Sequence, residues 1–270
     1  MIRFECSRAF STLGFKLALL IGALIAVSHF VMNVVPYVLR LEEYIEINKP
    51  MSYPGWLYSL WLGGNSYTVQ SFLYFMVLPL LAALPFADSF YSDATSGYVA
   101  EVFTRINRSN YIVGKYVSVF LSGAAAALFP LVLNFLLSFS VLPALKPEPT
   151  DFSSPITADV FMSELYFNKP VLFLLIHLLI IFIISGLFAV SALSASYFCN
   201  YQFLALISPF LLYISMMAVF GFLELEDWQP NNFLNPAYRL HTITPVFATG
   251  FLLILLSTFF FIRGKRADVF

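Results

Sequence analysis

Residues 171–197 read VLFLLIHLLIIFIISGLFAVSALSASY, a run with no Asp, Glu, Lys or Arg. A bilayer's hydrocarbon core takes about 20 apolar residues in a helix, and this run is long enough to cross it. Inside lipid the backbone has to satisfy its own hydrogen bonds, so such a segment crosses as a helix. Five further runs share this character: Leu17–Leu39, Ser71–Ala87, Tyr116–Leu142, Phe203–Leu223 and Pro245–Ile262. The expected fold is therefore all-α, a polytopic membrane protein of six transmembrane helices.

The composition agrees. Hydrophobic residues make up 60% of the 270 positions and charged residues only 11%, against about 25% charge in an ordinary soluble domain. No linker or low-complexity run divides the chain, so residues 1–270 read as a single transmembrane domain. Cys6 and Cys199 have neither CxxC spacing nor a histidine cluster nearby, which argues against metal or redox chemistry. Arg3, Arg8 and Lys16 ahead of the first run have the outline of a signal peptide. That run continues through His29 and Asn33 without a small-x-small cleavage site, so an uncleaved first span is expected.

Charge sets the expected orientation. With the N-terminus inside, Arg3, Arg8, Lys16, Arg105, Arg108, Lys115, Arg263, Lys265 and Arg266 fall inside. Arg40, Lys49, Lys146, Lys169 and Arg239 fall outside, so nine of the 14 basic residues are inner. The positive-inside rule then places both termini in the cytoplasm. Tyr53, Trp56, Tyr58 and Trp61 in the first outer loop are expected to anchor at the membrane interface. Prolines at 143, 147, 149, 155 and 170 exclude a long regular element from most of the second. The third, Glu224–Thr244, reads as a short excursion.

The inner segment between spans two and three is DSFYSDATSGYVAEVFTRINRSNYIVGK, Asp88–Lys115. Phe90, Ala94, Tyr98, Val102 and Ile106 recur at steps of four, with Val99 and Phe103 beside them, and predict an amphipathic helix. Asp93, Glu101, Arg105 and Arg108 lie mostly off that stripe. The apolar face is expected on the bilayer edge, leaving the polar face to the cytoplasm. Ile2, Cys6, Phe10 and Leu13 also fall at helical spacing and predict an interfacial helix before span one.

Asp88–Lys115 resembles the corresponding loop in permease subunits of type-2 ATP-binding-cassette (ABC) exporters. The residues that carry the likeness are Asp93, Gly97, the run Tyr98–Phe103, Arg105-x-x-Arg108-Ser109, Tyr111 and Gly114-Lys115. The six-span layout and the short turn Cys199–Gln202 extend it along the chain. It departs at Ile106-Asn107, where that family usually has a proline. The resemblance implies a coupling helix between spans two and three that docks on a separate ATPase subunit, with Asp93, Gly97, Tyr98, Glu101, Arg105, Arg108 and Lys115 as the coupling residues. It also implies a second permease, as a copy or homologue, in a bacterial plasma membrane. ATP and magnesium would belong to the ATPase, because no G-x-x-x-x-G-K-[ST] occurs here. The chain itself is expected to be no enzyme, with no catalytic or metal residue and no nucleic-acid partner.

Within the spans, His29, His177, Asn33 and Asn134 are expected to form interhelical hydrogen bonds. Ser185, Ala189, Ala192 and Ser196, with Gly123 and Ala127, are small residues spaced for close helix packing, within or between subunits. A cation-coupled transporter would display intramembrane carboxylates, and none is present. Two other readings remain. One is an intramembrane metalloprotease, for which Glu42-Glu43 is the tempting start although no HExxH accompanies it. The other is a scaffold, channel or toxin-immunity protein that needs no nucleotide.

Overall fold

The computed structural model describes residues 1–40, 56–149 and 154–266, with the side chains of 265 and 266 outside that description. Glu42-Glu43, Lys49, Tyr53 and Asp268 therefore fall outside the described residues. All regular elements among the described residues are helices.

The chain opens with α1 (Ile2–Ser11) and breaks at Thr12, whose backbone is extended. The Thr12 side chain then caps α2 (Leu13–His29) by accepting from the Phe15 amide. A π-helical segment, Phe30–Val34, carries α2 into α3 (Val35–Leu39). After α4 (Leu57–Leu60) come α5 (Val69–Ala83), α6 (Ser89–Thr95), α7 (Tyr98–Arg105) and α8 (Arg108–Phe139). The remainder is α9 (Ser163–Asn168), α10 (Pro170–Ala195), α11 (Gln202–Phe222), a 3-10 turn (Glu226–Trp228), α12 (Pro230–Phe233) and α13 (Thr244–Arg266).

Five helical stretches are long and apolar enough to cross a membrane: Leu13–Leu39, Arg108–Phe139, Pro170–Ala195, Gln202–Phe222 and Thr244–Gly264. This is the fold of a multi-pass membrane protein. The expected sixth span, Ser71–Ala87, differs. Its helix α5 has 15 residues, which extend about 22 Å at 1.5 Å per residue, short of a hydrocarbon core of about 30 Å. Pro85 accounts for the early stop, since it offers no amide and its ring opposes the carbonyl one turn back.

Helix α8 is the axis of the bundle. It packs against α1, α2, α5 and α10, and α10 in turn packs against α11 and α13. Gly123 is where α5, α8 and α10 converge. A Cβ there would stand 2.6 Å from both the Ala82 carbonyl oxygen and the Ala189 Cβ, so only glycine admits this approach. Ala127, Ser185, Ala189 and Ala192 are fully buried and Ser196 nearly so, within this one chain.

The ends of the described chain meet the same part of α8. Met1 lies against Gly114, and Gly264 lies against Ile112. At the opposite end the connecting segments fold on one another. Trp56, Tyr58, Ile156, Val160, Tyr166, Phe167 and Phe173 form a small separate core. Trp56, Tyr58 and Trp61 are thus buried in protein. They do not face the lipid interface as expected: the proline-rich second loop covers Trp56 and Tyr58, and Trp61 packs in the main core against Phe135 of α8. Backbone bonds tie the layer together: Leu57 donates to Pro143 (3.1 Å) and Phe161 to Leu240 (2.9 Å).

Candidate functional site: a buried ion cluster beneath an exposed elbow

The segment expected to form one amphipathic helix forms two. Helices α6 and α7 are separated at Ser96–Gly97, where Gly97 adopts a φ of 78°. Only glycine visits this left-handed region without strain, and periodicity carries no sign of it. The apolar stripe is placed differently from expectation as well. Phe90, Val99 and Val102 are buried in the chain's own core, with Tyr98, Phe103 and Ile106 packed against it. Most of the stripe therefore packs on protein instead of resting on the bilayer edge, while Ala94 is exposed. We call α6, Gly97 and α7 the elbow.

Helix α8 begins at Arg108, earlier than the expected start at Tyr116. The Asn107 side chain caps it, accepting from the Ser109 amide at 2.9 Å. Lys115 consequently sits two turns inside the helix, with its side chain 0% exposed. A lysine ammonium buried so deeply requires partners, and the structure supplies two carboxylates. Its Nζ donates to Asp93 Oδ2 at 2.6 Å and pairs with Glu5 Oε2 at 3.0 Å.

Arg8 closes the arrangement. Its Nη2 donates to Asp93 Oδ1 at 2.9 Å and its Nη1 to Glu5 Oε1 at 3.0 Å. Tyr111 donates its hydroxyl proton to Asp93 Oδ2 at 2.8 Å. Aromatic faces complete the cage. The Lys115 Nζ lies 4.5 Å from the Phe86 ring centre, and the Arg8 guanidinium 5.0 Å from that of Tyr98. Two acids and two bases leave the cluster formally neutral. Glu5, Asp93 and Lys115 are sealed, while the Arg8 side chain keeps 31% of its surface exposed.

The electrostatics at Asp93 follow from this geometry. Burial disfavours the carboxylate, but the Arg8 hydrogen bond and the Lys115 charge outweigh it and hold the Asp93 pKa below its ordinary value. At Arg8 burial likewise opposes the charge, and Asp93 and Glu5 more than compensate, raising its pKa. Both side chains are held charged.

The residues singled out from sequence therefore separate into two groups. Asp93 and Lys115 belong to the internal cluster and offer nothing to the surface. Glu101 and Arg105 are exposed on α7, beside a cleft of about 370 Å³ lined by Met1, Phe4, Tyr98, Glu101, Val102, Arg105 and Ile106. Tyr98 is half-buried beneath Arg8. Arg108 lays its guanidinium 5.2 Å from the centre of the Phe103 ring. Sequence reasoning missed Glu5 and Arg8 as partners of this loop. The available signal was their spacing of three on a short helix, which places both side chains on one side.

A second polar node lies within the bundle. Asn134 on α8 donates to the Ala26 carbonyl (2.8 Å) and to His29 Nδ1 (3.1 Å), and accepts from the Leu62 amide (2.7 Å). Asn33 donates to Gln70 on α5 at 3.1 Å. The bonds to Ala26, His29 and Gln70 are interhelical, and the one to Leu62 ties a turn to α8. His177 is different: its Nδ1 lies 3.2 Å from the Phe173 carbonyl, one turn back on its own helix. No group of three or more His, Cys, Asp or Glu side chains among the described residues is placed to hold a metal ion.

Comparison with known proteins found no matching family model, no matching curated protein and no matching solved structure.

Proposed function

We propose that this chain is the membrane-spanning permease of an ATP-driven exporter, working with a separate ATP-binding-cassette ATPase and a second permease. Its cargo is an amphipathic or apolar molecule (peptide, drug or lipid), since the spans offer aliphatic and aromatic walls with scattered hydroxyls. In this reading six segments cross a plasma membrane with both termini in the cytoplasm, and α5 completes its crossing through the turn at Leu84–Asp88. ATP hydrolysis takes place on the partner.

One observation carries the reading. The elbow presents Glu101 and Arg105 to solvent beside an apolar cleft, while its inner side is ion-paired to α1 and α8. A docking element needs such a division: apolar area gives adhesion and charges give register. A push on the exposed side then reaches α8, the axis of the bundle.

The test reverses both charges, Glu101→Arg with Arg105→Glu. Both residues are exposed, so insertion and melting stay as in the parent chain. Recovery of an ATPase subunit on purification in mild detergent is expected to fall at least about tenfold, the scale of losing about 1.4 kcal/mol of binding. An unchanged partner at unchanged yield excludes the elbow as the docking site.

A further inference from the structure

Helix α1 is attached to the rest of the molecule in an unusual way. It is not continuous with α2, because Thr12 interrupts the helix with extended backbone. At ten residues it is too short to hold its fold alone in water. What fastens it is side-chain chemistry on one face. Glu5 and Arg8 reach Lys115 and Asp93, Ala9 is fully buried, and the Thr12 hydroxyl donates to the Pro85 carbonyl at 2.8 Å. These partners lie at the turn before the elbow, in the elbow and at the base of α8. The helix therefore bridges all three.

Buried ion pairs are a poor way to gain stability, since apolar residues of similar volume do as well or better. Their distinctive effect is to fix one arrangement and to penalise every arrangement in which a charge loses its partner. Here the shared acceptor is Asp93, which receives Arg8, Tyr111 and Lys115 together. Arg8 is the member at the solvent-exposed edge, so the cluster has one side from which it can be opened.

We propose that α1 is a clamp, fastened through Arg8 and Glu5, that reinforces the hold of the elbow on the base of α8, so that the three move as one body while it is closed and the elbow keeps only its direct bonds to Lys115 and Tyr111 when it opens. Asp93 is the positioning residue. The use of such a clamp in transport rests on the exporter reading above, whereas its existence does not.

Hydrogen exchange tests it on the full chain in lipid nanodiscs, without nucleotide or partner. In Arg8→Gln, exchange in residues 2–11 and 89–105 is expected to rise together by about tenfold, the scale of losing a charge-assisted hydrogen bond. Arg8→Lys recovers part of the protection, and residues 170–195 are unaffected. Asp93→Asn gives a larger joint rise. A rise confined to residues 2–11, or no rise in either segment, overturns the clamp. Should Asp93→Asn loosen the whole bundle, the Arg8 variants still decide. Failure here leaves the Glu101 and Arg105 docking test intact, and absence of an ATPase leaves this result intact.

Discussion

Asp93 shows how a single residue can be visible in sequence and still be misplaced. Its type and its distance from Gly97 were legible, and so was Lys115. Their pairing was not, because the cluster joins positions 85 apart in the chain (Arg8 to Asp93), and neither periodicity nor local spacing reports a contact of that range. The charged state has a pH consequence. Burial would raise the Asp93 pKa, but Arg8 and Lys115 bring the net shift below the ordinary carboxylate value. A carboxylate depressed in the folded state adds stability above its unfolded pKa and loses it as pH falls through the folded one. Replacing Asp93 by Asn leaves a buried cation short of a partner, a loss of about 3–5 kcal/mol near neutrality. The difference in thermal midpoint between the parent chain and Asp93→Asn should thus be constant between about pH 7 and 5 and shrink below about pH 4. A difference that shrank toward alkaline pH would contradict the assignment.

At the scale of elements, charge-free apolar runs located the long helices, and hydrophobic periodicity misjudged what lies between them. Val171–Tyr197 was read within two residues of the observed Pro170–Ala195, because a charge-free run of that length has one solution in lipid. The elbow was not so constrained. Steps of four from Phe90 to Ile106 fit one straight helix as well as two, and the difference is a single left-handed residue. The two alternatives predict opposite signs for Gly97→Ala. In a continuous exposed helix alanine would stabilise by about 1 kcal/mol over glycine. At the observed φ of 78° it should destabilise by about 1–2 kcal/mol, although no atom beyond its chain neighbours lies within 4 Å of the position a Cβ would take. Gly97→Asn should be milder, since asparagine tolerates this region better. Chemical or thermal unfolding of the three chains in one detergent separates the cases, and a more stable alanine variant would restore the continuous helix.

The whole molecule has two differently built ends. One gathers α1, the elbow and the base of α8 around an ion cluster; the other is a layer of loops closed over an aromatic core. The membrane class was readable from composition, yet the loop layer was not, since Trp and Tyr near a span end look alike whether they face lipid or protein. Apolar contacts join the layer to the bundle through Phe173 on α10 and Phe135 on α8, and one buried polar residue adds to them: Asn134 holds the Leu62 amide while gripping α2 at Ala26 and His29. Leucine at this position keeps the volume and removes all three bonds. The Leu62 amide is then left without its acceptor, a loss of about 1–3 kcal/mol for a buried group, somewhat less where lipid-embedded alternatives exist. Because the bundle separates the two ends, the effect should be local. Exchange at residues 56–62 is expected to rise in Asn134→Leu, while residues 2–11 and 89–105 keep their protection. A rise at both ends at once would mean that the bundle transmits strain along α8, and the two ends would then have to be treated as one cooperative unit.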